Sequence, residues 1–329
     1  MPLILDPAAV KAATDMRCMI DFIDEGLREQ AQGHVAVPPR MNLETSNGFF
    51  RVMPAVMRRR GLMGFKIFNG SVQHGVRYLV GLYDEKSGEL LALMDAAWLT
   101  GARTGATTGV ATRYQAREDS QRVGVIGSGL EARTNLEAVC AVRPIRTARV
   151  FSPTAANRER FAQEMSVKLD IEIEAVTGPE RAVRGADIVV IATNTTKQDN
   201  AFAYRGEWME RGQHVNSIGS TGGKLREIDP ATFANAELVV VDSLHQVEEE
   251  CGDVLETIAR GLWRREKISE LTALVTRTVP GRRREDEITL FKSVGTGLQD
   301  VVAAFAVYEQ ARRLGLGHEV ADFLEHKHF

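Results

Sequence analysis

With 329 residues, 44% of them hydrophobic and 26% charged, and a formal net charge of −3, the chain has a globular composition and the length for two ordinary domains. That balance argues against nucleic-acid or anionic-membrane binding, and the runs Arg58-Arg59-Arg60 and Arg282-Arg283-Arg284, which have no interleaved aromatics, read as solvated faces. The three cysteines, Cys18, Cys140 and Cys251, follow no C-x-x-C spacing and no apolar run approaches a membrane span, so no disulfide framework, no metal site and a cytoplasmic setting are expected.

In chain order, residues 9–32 read as one amphipathic helix and 35–40 as an extended piece closed by Pro38-Pro39. Residues 49–53, 62–68, 77–83 and 90–95 follow as short strands separated by glycines and the turn Asp84-Glu-Lys-Ser-Gly88, which describes a sheet domain and not a βαβ array. Residues 100–114, rich in small side chains, form a helix suited to close packing. A βα alternation begins at Val123, with apolar strands near 147–151, 188–193, 214–219 and 238–242, as expected of a parallel sheet buried on both faces. A helix over 253–264, a strand at 288–293 and a long helix over 298–314 that packs back on the first domain complete the order.

The strand from Arg122 ends in Gly127-x-Gly129-x-x-Ala132 and opens a helix over 133–142. Gly127 allows a tight turn, Gly129 lets backbone amides approach a pyrophosphate, and Ala132 permits close packing, so this turn is expected to hold a dinucleotide. Ligands of such sheets lie beyond the carboxyl ends of the strands, which singles out Gly127, Ser128, Gly129, Leu130, Glu131, Ser152, Thr154, Thr193, Asn194, Asn216, Ser217, Ile218 and Gly219. The second strand ends Phe151-Ser152-Pro153-Thr154, without the acid that selects NAD(H). Ser152, Thr154 and Arg158 suit a 2′-phosphate, so NADP(H) is preferred over NAD(H), although Arg158 also fits a plain solvent-facing role.

Outside this region Arg40, Lys66 and Arg103 stand beside glycines or small residues. Buried cations need anions, so the three suggest a carboxylate-bearing ligand, with separate surface salt bridges as the alternative. His245, Glu248, Glu249 and Glu250 lack metal-ligand spacing and read as a solvated helix start.

The ordered set Pro39-Arg40, Phe50-Arg-Val-Met-Pro54, Gly64-x-Lys66, Leu99-Thr-x-x-Arg103-Thr-Gly-Ala106, Gly127-x-Gly129, His214-Val-Asn-Ser-Ile-Gly219 and Phe291-Lys-Ser-Val-Gly295 resembles the ornithine cyclodeaminase/mu-crystallin family. The resemblance implies an α/β fold in which a Rossmann-type parallel-sheet domain, residues 121–295, is inserted in a sheet-rich α+β substrate and dimerisation domain, residues 1–120 plus 296–329. It also implies a homodimer. Carried over by position, Arg40, Lys66 and Arg103 are the catalytic set that grips the carboxylate and imine. Arg51, Met53, Thr221 and Val294 line the substrate, and Ser293 joins the cofactor residues.

Two departures bear on the reaction. Cyclodeaminases of the family carry an aspartate where Thr221 stands, and a threonine hydroxyl is no general base near neutrality. Arg51 replaces an acidic residue near the distal amine of ornithine. A further departure is Glu131, where the family has Gln beside the phosphates. The expected activity is NAD(P)H-dependent reduction of an α-imino acid, either a cyclic ketimine such as Δ1-pyrroline-2-carboxylate or the imine of a small 2-oxo acid, reversible as an L-amino-acid dehydrogenase. A cyclodeaminase, an opine-type synthase and a non-catalytic NADPH-binding crystallin-like protein are the alternatives.

Overall fold

Asp15 divides the N-terminal helical segment in two. Its carboxylate accepts the Cys18 amide at 2.9 Å and caps α2 (Met16–Ala31), while Asp6 caps the short α1 (Pro7–Ala12) through the Ala9 amide. The single helix expected over 9–32 is corrected to two, because a strong N-cap residue stands inside the apolar period.

The computed structural model describes residues 1–71, 73–194, 202–220, 222–321, 323–325 and 327. They fall into two units, Met1–Arg103 with Thr296–Phe329, and Thr104–Gly295. The second interrupts the first inside α3 (Ala97–Gln115), ahead of the 120/121 division read from the sequence.

In the first unit, β1 (Leu3–Leu5), β2 (Val35–Ala36), β3 (Met41–Thr45), β4 (Gly48–Met57), β5 (Leu62–Ser71), β6 (Gly75–Asp84) and β7 (Leu90–Asp95) share one mixed sheet with the terminal strand His318–Glu319. β4 to β7 pair antiparallel in sequence order, and β1 runs parallel to β7. Alternation places Met53, Ala55 and Met57 of β4, Leu62, Lys66 and Phe68 of β5, and Val80 and Leu82 of β6 on a buried face. The helix Gly297–Leu314 covers that face, and α2 packs on the helix. Gly64 permits the approach: a Cβ there would lie 2.5 Å from the Gly81 carbonyl oxygen and 3.2 Å from Val301 Cγ2. The opposite face, with Val52, Val56, Phe65, Ile67, Leu79, Leu91 and Leu93, is also apolar yet only half-buried or exposed.

The second unit contains β8 (Arg122–Ile126), α4 (Leu130–Val142), β9 (Thr147–Phe151), α5 (Ala155–Leu169), β10 (Glu172–Ala175), β11 (Ile188–Ile191), β12 (His214–Ser217), β13 (Leu238–Val241), β14 (Ile268–Glu270) and β15 (Thr289–Lys292). Every pairing in its sheet is parallel, in the order β10, β9, β8, β11, β12, β15, β13, β14. Apolar clusters fill both faces, one around Val125, Leu136, Phe161 and Val190, the other around Ile191, Val215, Val239 and Leu290. Strand order reverses between β8 and β11, which opens a crevice at the carboxyl ends of these strands. The helix expected over 253–264 stops at Ala259, because Gly261 takes a φ of +67° and turns the chain away.

Arg58, Arg59, Arg283 and Arg284 are exposed, as expected of solvated faces, while one arginine of each run, Arg60 and Arg282, is half-buried and tied to its surroundings. Arg60 pairs with Glu25 and Glu29 and lies over the Phe22 ring. Arg282 donates to the carbonyl oxygens of Gln115, Gln213 and Glu287, and burial pulls it down to about 10. A planar guanidinium with five donors can satisfy several buried carbonyls at once, which a short lysine-like point charge cannot.

Candidate active site

Two constellations of candidate residues stand out, one in each unit. In the first, Lys66 points to the apolar face of the sheet because it shares the parity of Leu62 and Phe68 on β5. Its side chain is 2% exposed, and Nζ lies 2.8 Å from Asp300 Oδ1, whose side chain is 1% exposed. The same oxygen accepts Arg103 Nε at 2.9 Å, and Arg103 Nη1 donates to Gln299 Oε1 at 3.0 Å. Arg40 is buried as well. Burial lowers Lys66 from 10.5 to about 7; Asp300 pulls it back up, while the charges of Arg103 and Arg40 depress it further. Lys66 and Arg103 thus share one buried carboxylate, with the charge of Arg40 close enough to act on Lys66.

Beside this cluster, Met53 is the cross-strand partner of Lys66, and Arg51 that of Phe68. The Arg51 guanidinium lies 4.6 Å from the Phe49 ring centroid and 5.5 Å from that of Phe68, which stacks on Tyr78. The structure therefore brings Arg40, Lys66, Arg103, Arg51 and Met53 onto one element group and adds Asp300 and Gln299, which sequence reasoning missed. The signal available was a polar pair directly ahead of the apolar run from Val301 to Val307. Thr221 lies outside the described residues.

In the second unit, Gly127 ends β8 with a φ of +119°, and a Cβ there would meet the Ala192 carbonyl oxygen at 2.2 Å. Gly129 begins α4 without any side-chain cap, and nothing lies within 4 Å of the place its Cβ would occupy. A thirteen-residue helix thus starts with no side-chain cap beside an open position at Gly129, which suits a pyrophosphate. Leu130 and Glu131 form the first turn. At the end of β9, Ser152 Oγ and Ser128 Oγ are 3.0 Å apart, and Arg158 Nη1 donates to the Ser152 carbonyl at 3.1 Å. Thr154 begins α5 without a side-chain cap.

The strand ends beyond the switch point are tied inward. Glu227 accepts the hydroxyls of Thr193 and Ser217 and the amides of Thr193 and Gly219. Asp242 accepts Ser293 Oγ at 2.6 Å and the amides of Val294 and Gly295. Asn216 is fully buried; its Nδ2 donates to Thr112 Oγ1, and His214 Nε2 meets its Oδ1 at 3.1 Å. Burial, with Arg282 and Arg143 nearby, lowers His214 to about 3, so the ring is neutral and donates to Asn216. Ile218 is buried, with its amide on the Ile191 carbonyl, and Asn194 is exposed. The hydroxyls of Ser217 and Ser293 and the Asn216 amide hold the sheet end together, as do the backbone amides that Glu227 and Asp242 accept. Among the described residues, no group of His, Cys, Asp and Glu is arranged to hold a metal ion, and no helix is long and apolar enough to cross a membrane.

Residues 2–314 match the model of the ornithine cyclodeaminase/mu-crystallin family. The chain is 32% identical over 327 residues to a Δ1-pyrroline-2-carboxylate reductase of Bacillus cereus, covering 97% of this chain and 99% of the relative. Among solved structures, Thermococcus litoralis Δ1-pyrroline-2-carboxylate reductase in complex with NADH and L-proline superposes with a TM-score of 0.91 at 35% identity, covering 97% of this chain and all (100%) of that one. An archaeal alanine dehydrogenase dimer with bound NAD gives 0.89 at 30% identity, covering 98% and 99%. The chain belongs to the ornithine cyclodeaminase/mu-crystallin family.

Proposed function

We propose that this chain is an NAD(P)H-dependent oxidoreductase that reduces the C=N bond of an α-imino acid and runs in reverse as an amino-acid dehydrogenase. The observation that carries this reading is the buried Lys66–Asp300–Arg103 cluster with Arg40 beside it. Arg40 and Arg103 hold the substrate carboxylate through charge-assisted hydrogen bonds, which fixes the α-carbon in one orientation. Lys66, with a proton to give near neutrality, keeps the imine nitrogen protonated; the C=N π pair then settles on that nitrogen as the carbon is reduced. When bound, the nicotinamide supplies the hydride. The nearby ring faces of Phe49, Phe68 and Tyr78 suit a small cyclic imine, and Δ1-pyrroline-2-carboxylate reductases among the relatives support that class.

The relatives' NADH and NAD complexes support a nicotinamide dinucleotide. The end of β9, with Ser152, Thr154 and Arg158 and no acid, favours NADP(H). A homodimer built on the second apolar face of the first unit's sheet suits residues such as Phe65 and Ile67, and Ile67→Lys then yields a monomer in sedimentation equilibrium. The three free cysteines suit a reducing cytoplasm.

The test is oxidation of NADH and NADPH by purified protein with Δ1-pyrroline-2-carboxylate, Δ1-piperideine-2-carboxylate, and pyruvate, glyoxylate or oxaloacetate mixed with ammonia or methylamine. Ornithine with NAD is the cyclodeaminase control. Turnover with one imine supports the proposal and names its substrate class. Ammonia release from ornithine, with silence across the imines, overturns it.

A further inference from the structure

Glu227 is fully buried at the carboxyl end of the second unit's sheet, and its two oxygens receive four donors. Oε1 accepts Ser217 Oγ at 2.8 Å and the Gly219 amide at 2.7 Å; Oε2 accepts Thr193 Oγ1 at 2.9 Å and the Thr193 amide at 3.2 Å. Thr193 follows β11 and Ser217 ends β12, so one carboxylate joins the ends of two neighbouring strands. Gly219 is part of the same fitting: a Cβ there would stand 2.2 Å from Glu227 Oε2 and 2.4 Å from the Thr193 carbonyl oxygen.

The charge is held by buried partners. Lys292 Nζ of β15 lies 2.8 Å from Asp253 Oδ2, 3.0 Å from Ser217 Oγ and 3.7 Å from Glu227 Oε1. Asp253 Oδ1 accepts the amides of Glu227 and Ile228. Three strand ends, β11, β12 and β15, are thereby locked to one ionic triad, a preorganised arrangement that is far more costly to break than to keep.

A dinucleotide with its pyrophosphate at α4 and its adenosine ribose at the end of β9 extends its other half over β11 and β12. We propose that Glu227 is a positioning residue for the nicotinamide half of the dinucleotide, a role that rests on the cofactor reading above. It acts through the Thr193 and Gly219 backbone and the Ser217 hydroxyl, which it fixes, and touches no reacting atom.

The test uses pairs of ligands with and without nicotinamide: NADPH against 2′-phospho-ADP-ribose, and NADH against ADP-ribose. Glu227→Gln sets an amide N–H against the donors it formerly accepted. Its dissociation constant for the complete dinucleotide rises about tenfold, the scale of a lost charge-assisted contact, while that for the truncated ligand stays within twofold. In ligand-free protein, deuterium exchange at the Thr193 and Gly219 amides accelerates and exchange across β8 does not. Gly219→Ala parts the same contact from the other side with the charge intact, so it reproduces the split and keeps the proposal open to test if the Gln variant fails to fold. Equal weakening of both ligands of a pair, or of neither, overturns the proposal with the cofactor reading intact. Wild-type protein that binds no dinucleotide overturns both.

Discussion

Lys66 Nζ and Asp300 Oδ1 meet at 2.8 Å although 234 residues separate them in the chain. The same oxygen takes Arg103 Nε at 2.9 Å, so one aspartate holds the Lys66 ammonium and the Arg103 guanidinium in fixed relation. Asp300 thereby opposes burial, which favours the neutral form of Lys66, and the nearby charges of Arg103 and Arg40, which act in the same direction as burial.

That relation sets the pH dependence. Lys66, lowered to about 7, is protonated below that pH and neutral above it. If the ammonium form is the active one, kcat/KM falls about tenfold per pH unit above the transition. Asp300→Asn removes an influence that raises Lys66, so the alkaline limb moves to lower pH, and breaking the buried pair costs about 3–5 kcal/mol of stability. Lys66→Ala abolishes turnover and leaves NAD(P)H binding within twofold. A pH–rate profile, a melting curve and a fluorescence titration check these outcomes; an unmoved alkaline limb in Asp300→Asn removes the electrostatic role.

What was legible in the chain was local. The turn at Gly127 announces itself because an apolar strand, a glycine and a helix start are contiguous, and the positive φ at Gly127 is the strain that only glycine relieves. Lys66 and Arg103 stood out as cations among small residues. Their anchor did not, since Asp300 pairs across 197 and 234 residues, and no period in the sequence encodes such a contact. Glu227 was hidden for the same reason, reaching Thr193 across 34 residues. β3 is the reverse case: Met41-Asn-Leu43-Glu alternates over only a few residues, and its apolar side chains stay exposed, so no buried face backs the pattern.

The two glycines of the turn separate fold from binding. Gly127→Ala forces a side chain into a φ of +119° and against the Ala192 carbonyl, so it destabilises by about 1–3 kcal/mol in denaturant unfolding. Gly129→Asp meets open space and an ordinary backbone conformation, so the protein keeps its melting temperature. Its carboxylate occupies and repels the pyrophosphate position, and NAD(P)H titration then shows at least tenfold weaker binding. Unchanged binding in Gly129→Asp would remove the phosphate from the α4 N-terminus.

The proposed preference for NADP(H) can be tested at Arg158. Its Nη1 donates to the carbonyls of Ser152 and Pro153, which pins the guanidinium at the turn where a ribose 2′-substituent would arrive. Arg158→Ala is expected to raise KM for NADPH about tenfold, the loss of one charge-assisted phosphate contact, and to leave KM for NADH within twofold. Equal losses with the two coenzymes would reduce Arg158 to a staple of the turn.

The proposed substrate class gives Arg51 a testable role. Its guanidinium spreads over Phe49 and Phe68, and Lys66 Nζ lies 5.2 Å from the same Phe68 centroid, so a positive charge and an aromatic wall border the catalytic cluster together. A cationic tail entering there meets repulsion, whereas a neutral ring packs on the aromatic faces and a second carboxylate gains a partner. Neutral cyclic or dicarboxylic imines are therefore turned over with at least tenfold higher kcat/KM than imines with an ammonium tail, and Arg51→Glu reverses the order by removing one charge and installing its opposite. A wild-type preference for lysine-like substrates in the same panel would place Arg51 outside the substrate's reach.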